Sequence, residues 1–259
     1  MWDNARMDYY FPIADVSINL LFVIAIGFGG GLLSGMLGLG GGIFITPSLM
    51  LAGVPSFIAV TTQLFNSVGT NFIGFLSYWR RKDVDLALGA YLFVGGVLGA
   101  LTEYLIFRAV YSATDPYSII RIVSALSLFL LGMGMVAQSL KGLLQKSPKE
   151  RFVSMRYWMI YFPWHRVFLR TRAEISVLIP FLVGFLTGLL TTTLGGGSSM
   201  FTIPILTYLI GRTSPAVTGT SLMAGFLINF STASLYGFGT SPCDALLLLF
   251  LFASSCVGS

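Results

Sequence analysis

Long apolar runs divided by short polar stretches set the pattern of this chain. Apolar segments run from Val16 to Leu37, Ile43 to Ala52, Ser56 to Trp79, Leu86 to Phe107, Ile119 to Leu140, Ile175 to Leu194, Met200 to Ile210 and Pro215 to Tyr236, with a last one from Ala245 onward. Most approach the roughly 20 residues that a helix needs to cross a bilayer. Two are much shorter, and each follows a cluster of glycines. Gly38, Gly40, Gly41 and Gly42 precede a piece containing Pro47; Gly195, Gly196 and Gly197 precede one containing Pro204. Glycine costs about 1 kcal/mol in a helix interior and permits backbone angles other residues avoid. Each cluster therefore predicts a helix, a break and a second, short helix. Inside a bilayer a broken backbone survives only where protein buries it or where it lines a wet cavity. Transporters build midplane sites from such half-helix ends.

The two broken stretches are copies of one another. GLLSG at Gly31 to Gly35 matches GFLTG at Gly184 to Gly188, the glycine tracts align, and Pro47 matches Pro204. The match continues through Ala59-Val60-Thr61 against Ala216-Val217-Thr218, Asn71-Phe72 against Asn229-Phe230, and Tyr78 against Tyr236. The pattern G-x-x-[ST]-G-x-x-G-x-G-G-G-x-x-x-x-P, present from Gly31 to Pro47, resembles the sulfite exporter TauE/SafE family, the toluene sulfonate uptake permease group. The second copy departs from it: Thr191, Thr192 and Thr193 intervene before the glycines, and Ser198-Ser199 follow them. The resemblance covers nearly the whole chain apart from a central basic stretch. It implies a permease for small sulfur-containing or organic anions, without naming one substrate.

Composition agrees. Of 259 residues, 55% are hydrophobic and 10% charged, against about 25% charged in soluble domains; mean hydropathy is +0.84. The chain reads as an all-α polytopic membrane protein. Asp3, Asp8 and Asp15 outnumber Arg6 at the start, so the N-terminus is not read as a signal peptide. Cys243 and Cys256 are too few for a disulfide framework or a metal site. No H-E-x-x-H, Cys/His cluster or Walker-type sequence is present, so no cofactor is expected and an intramembrane enzyme has no support. The net charge of +5 does not signal nucleic acid, because the basic residues gather beside apolar runs.

Those residues orient the chain. Arg80-Arg81-Lys82 lie between two spans; Lys141, Lys146, Lys149, Arg151, Arg156, Arg166, Arg170 and Arg172 fill a linker. The positive-inside rule places both in the cytoplasm and the acidic N-terminus outside. Residues 1–140 then form a first transmembrane repeat, 141–174 a basic, aromatic cytoplasmic linker, and 175–259 a second, inverted repeat. The short segments carry the chain back across, giving five passes in the first repeat; re-entrant segments with four passes per repeat are the alternative. Nothing in the second half matches Ile119 to Leu140, so the second repeat reads as incomplete, through C-terminal truncation or by design. The linker interleaves its cations with Phe152, Tyr157, Trp158, Tyr161, Phe162, Trp164 and Phe168, which suits a segment lying on anionic lipids. His165 reads as headgroup-level packing.

The candidate chemistry lies behind the breaks. One helix carries Gln63, Asn66, Ser67, Thr70, Asn71 and Ser77; its copy carries Thr218, Ser221, Gly225, Asn229 and Thr232. Spacing of three and four puts each set on one face. Such stripes also serve as helix–helix glue. The solute-binding set expected from the symmetric placement is Gly40, Gly41, Gly42, Gln63, Asn66, Asn71, Gly195, Gly196, Gly197, Ser198, Ser221 and Asn229. Backbone N–H groups at the breaks would face an anion, and neutral side chains would replace its hydration shell. Glu103, the one carboxylate within an apolar run, is a proton-coupling candidate, although it could equally reach the headgroups or pair with Arg108 or Arg121. The expected partners are a small anionic solute and the bilayer; the oligomeric state is open. A non-transporting scaffold or accessory subunit is the rival reading.

Overall fold

The computed structural model describes residues 8–37, 41–111, 126, 129, 133, 165–168, 171, 173–191, 195–196, 198–210, 215–239 and 244–258. Eight long helical elements lie among them: α1 (Leu20–Leu37), α2 (Gly42–Leu51), α3 (Ser56–Arg80), α4 (Leu86–Tyr111), α5 (Leu178–Thr191), α6 (Ser198–Ile210), α7 (Pro215–Gly239) and α8 (Ala245–Gly258). Leu126, Phe129 and Met133 are helical and exposed; the rest of the apolar segment Ile119 to Leu140 lies outside the described residues, as does most of the linker.

Two antiparallel hairpins were not foreseen. β1 (Asp8–Phe11) pairs with β2 (Val16–Asn19) ahead of α1, and β3 (His165–Phe168) pairs with β4 (Ala173–Ser176) ahead of α5. The first span therefore starts at Leu20 rather than Val16, and Ile175 belongs to a strand rather than to a span. Tyr9, Tyr10, Phe11, Val16 and Ile18 are good strand formers. Asp15 takes a left-handed φ of 52° in the turn and accepts a 2.6 Å hydrogen bond from Tyr10 Oη. That bond, with the carboxylate's charge, raises the phenol's pKa. Asn19 then caps α1 by accepting from Leu21 N–H at 2.9 Å.

Small residues decide which helices pair. α4 and α5 run parallel: a side chain at Gly95 would meet Phe181 O, one at Gly99 would meet Phe185 O, and one at Gly188 would meet Gly96 O. α1 and α8 also run parallel, with Gly27 against Leu251 and Ser254 and Gly31 against Ser255. α3 and α7 cross antiparallel, Asn71 beside Gly225, Gly74 beside Leu222 and Tyr78 beside Gly219. Without a hydrophobic drive between helices in lipid, such close backbone approach supplies the packing.

Two apolar cores flank the α3–α7 crossing. One joins Phe11 and Ile18 to Val23, Ile26, Ile45, Leu49, Leu247 and Leu251. The other joins Ile175 to Leu88, Leu92, Val183, Leu206, Val217 and Ile228. Each hairpin is thus part of a core and not a surface appendage. Large apolar side chains such as Leu21, Phe22, Leu98, Leu105, Ile106, Leu249 and Val257 face outward. Among the described residues, only α4 is both long and apolar enough to cross a membrane by itself, over Leu86–Ile106. α1, α5 and α8 are apolar but shorter, while α3 and α7 are 25 residues each and carry the polar stripes.

The packing at Gly188 is directly testable. Gly188→Val forces α5 away from the α4 backbone, and overpacking of this kind costs about 1–3 kcal/mol. The expected outcome is a clearly lowered Tm in detergent. Gly29→Ala, whose new methyl meets only the Phe44 ring edge at 3.4 Å, should change Tm little.

Candidate solute site

The site is built where α5 stops and α6 begins. α5 ends at Thr191 and α6 starts at Ser198. Gly195 and Gly196 between them have φ of 66° and 86°, left-handed values that a side chain disfavours. Gly196 N–H donates to Thr191 O at 2.8 Å and closes the end of α5. The freed carbonyls turn to side chains. Ser67 Oγ donates to Gly195 O at 3.3 Å, and Asn229 Nδ2 donates to Gly196 O at 2.9 Å. α3 and α7 therefore each supply one polar group to the same break.

The network extends along α3. Gln63 Nε2 donates to Ser67 Oγ at 3.0 Å, and Asn66 Nδ2 to Gln63 Oε1 at 3.1 Å. Asn66 Nδ2 also reaches Ser255 Oγ on α8 at 3.3 Å, and Ser255 Oγ donates to Gly27 O at 3.1 Å. On the other side Ser198 Oγ donates to Asn229 Oδ1 at 3.1 Å. Asn229 is thus fixed at both ends of its amide.

Packing around the break is tight. A methyl group at Gly195 would lie 2.5 Å from Thr46 Oγ1 on α2 and 3.2 Å from Gln63 Cβ; one at Gly196 would lie 2.6 Å from Ser67 Oγ. The two half-helices thus approach one another across α3.

A second group of polar atoms stays unpaired. Asn71, Ser199 and Ser221 are fully buried, yet both amide atoms of Asn71 and the two hydroxyls find no hydrogen-bond partner among the described residues. Asn66 Oδ1 is in the same condition. Gly225 ties the group together. A methyl group there would lie 3.0 Å from Asn71 Nδ2, 3.2 Å from Ser198 Oγ and 3.3 Å from Ser199 Cβ, and Ser221 is one turn away on α7. These groups collect at the N-terminus of α6, where the helix dipole places about half a positive charge. A buried polar group without a partner costs about 1–3 kcal/mol, so the cluster is expensive unless something binds it.

The expected site residues divide accordingly. Gln63, Asn66, Gly195, Gly196, Ser198 and Asn229 meet in one network, and Asn71 and Ser221 lie beside it. Gly42 begins α2, and Gly41 before it has φ 46°, lies against Gly30 and accepts from Phe44 and Ile45 N–H. Gly40 and Gly197 lie outside the described residues. Gly196 N–H is committed to Thr191 O, so it does not face a solute. Thr46, Ser199 and Ser255 were missed. Ser199 had been noted only as a departure from the family pattern; Thr46 and Ser255 gave no signal, because only the packing of α2 and α8 onto α3 brings them in. Glu103 is buried.

The profile of the sulfite exporter TauE/SafE family matches residues 23–259. The chain belongs to that family. It is therefore a membrane-embedded transporter, a permease or exporter, of a family of transporters rather than enzymes. It is 28% identical over 207 residues to a probable membrane transporter protein of Bacillus subtilis, YjnA, covering 80% of this chain and 74% of that protein. A second B. subtilis relative, the probable membrane transporter protein YunE, is 28% identical over 209 residues, covering 74% of this chain and 69% of that protein. A probable membrane transporter protein of Haemophilus influenzae is 27% identical over 113 residues, covering 42% of this chain and 44% of that protein. No solved structure matches significantly.

The two asparagines should behave oppositely. Asn229→Leu removes bonds to Gly196 O and Ser198 Oγ and should lower stability by about 1–3 kcal/mol. Asn71→Leu removes a buried amide that has no partner, so its Tm should stay level or rise. Thermal unfolding of both variants in detergent measures the difference.

Proposed function

We propose that this chain is a secondary permease for a small sulfur-containing or organic anion, with sulfite or an organosulfonate the first candidates. The observation that carries this reading is the unpaired cluster of Asn71, Ser199 and Ser221 at the start of α6. Two amide hydrogens and two hydroxyls can donate to a sulfonate or sulfite, whose three oxygens need several donors. The positive end of the α6 dipole favours negative charge there. Binding by neutral donors favours modest affinity and easy release, as a carrier requires.

The architecture we infer is a pair of inverted repeats, α1–α4 and α5–α8. α3 and α7 carry matching sequence and run antiparallel. α1 packs on α8, and α5, its sequence counterpart, packs on α4, the counterpart of α8. A two-fold axis perpendicular to the helices relates these pairs, the arrangement of many secondary transporters. The turn after Arg80 and Thr171 lie at one end of the bundle, joined through Asp85. The β1–β2 turn lies at the other end, joined to Asp244. Arg80 to Lys82 and Thr171, one residue of the basic stretch 141–174, thus share an end. By the positive-inside rule that end faces the cytoplasm, for a multi-pass protein of the cell (inner) membrane whose linker rests on anionic lipids.

Thermal stability of the purified chain against sulfite, sulfate, thiosulfate, taurine, sulfoacetate and acetate tests the solute class. A ligand present at about 100 times its Kd stabilises the fold by about 2.7 kcal/mol. A selective upward shift with a sulfur anion is expected, and Asn71→Leu and Gly225→Ala should each abolish it while remaining folded. A wild-type chain that responds to none of the six in stability and carries none in liposomes would favour the scaffold reading.

A further inference from the structure

We propose that Asp85 and Asp244 are the two gate latches of this transporter, each holding one end of the solute path closed by gripping the other half's hairpin. The proposal rests on the permease reading above, but on none of the solute-site residues.

The two carboxylates do the same work in the same way. Asp244 is 1% exposed and sits just before α8. Its Oδ1 accepts from Leu246 and Leu247 N–H, both at 3.2 Å, and so caps α8. Its Oδ2 accepts from Ile13 and Ala14 N–H, both at 3.2 Å, in the β1–β2 turn. Asp85, 5% exposed, sits just before α4. Its Oδ1 accepts from Leu88 N–H at 3.3 Å and caps α4. Its Oδ2 accepts from Thr171 N–H at 3.5 Å and Thr171 Oγ1 at 3.4 Å, in the turn between β3 and β4.

One oxygen therefore caps the residue's own helix while the other crosses to a hairpin. The crossing is reciprocal. Asp85 belongs to the first half and grips the second half's hairpin; Asp244 belongs to the second and grips the first's. The latches stand at opposite ends of the α3–α7 crossing, with the candidate solute cluster between them. Moving one half against the other must break whichever latch lies at the opening end, while the latch at the far end can hold. Each carboxylate accepts two hydrogen bonds from the hairpin at once, so each latch weights the closed state of its own end. The cap requires only one of the two carboxylate oxygens, which leaves the other for the hairpin.

Sidedness of water access tests this. In a chain carrying Cys243→Ser and Cys256→Ser, Ser221→Cys reports access to the cluster. A membrane-impermeant maleimide is added to intact cells or to inside-out vesicles. Asp244→Ala should speed labelling about tenfold from the β1–β2 side, the change expected on losing hydrogen bonds to a charge, and leave the Arg80 side unchanged or slower. Asp85→Ala should do the reverse. The milder Asp244→Asn and Thr171→Val serve if either alanine variant fails to fold, and should shift access in the same opposite senses. Equal acceleration from both sides, or no change from either, would overturn the proposal. Labelling reads water access and not solute affinity, so the result stands even for a chain that ignores every sulfur anion in the thermal panel.

Discussion

A helix that stops inside a membrane leaves backbone carbonyls and N–H groups with no water to turn to, and the arrangement of this protein follows from meeting that demand at the α5–α6 break. Gly196 N–H folds back onto Thr191, Ser67 reaches Gly195 O and Asn229 reaches Gly196 O. The last two bonds bring α3 and α7 to the break together, where the two helices cross antiparallel. The break requires glycine, because a side chain at 195 or 196 would displace Thr46 or Ser67. Once the crossing is set, the remaining faces of α3 and α7 are covered by α8 and α4. Gly69 meets Phe252 and Gly96 meets Ile228.

The buried polar side chains of α3, α6 and α7 fall into two sets. Asn229, Ser198, Ser67 and Gln63 are satisfied and act as structure. Asn71, Ser199 and Ser221 are buried without a hydrogen-bond partner among the described residues, and the proposed solute binding rests on them. One set bonds to the broken backbone and its neighbours; the other packs around Gly225. At the bundle ends, a single carboxylate both caps a helix and secures a hairpin.

The sequence by itself determined the membrane class and the identity of the helices bearing polar stripes. These are local properties: apolar run length and period. The internal match between Asn71 and Asn229 marked both as notable, yet could not say that one is bonded twice and the other not at all. The hairpins were missed because Val16 and Ile18 extend an apolar run that also reads as helix, and because the basic residues near Thr171 mask a short strand signal. What only the tertiary structure decided was pairing across distance. Ser255 against Asn66, Thr46 against Gly195, and the exchange of Asp85 and Asp244 between halves join residues separated by dozens to hundreds of positions. No local pattern encodes such contacts. They arise because helices in lipid pair where backbones approach most closely, and that geometry exists only after the chain has folded.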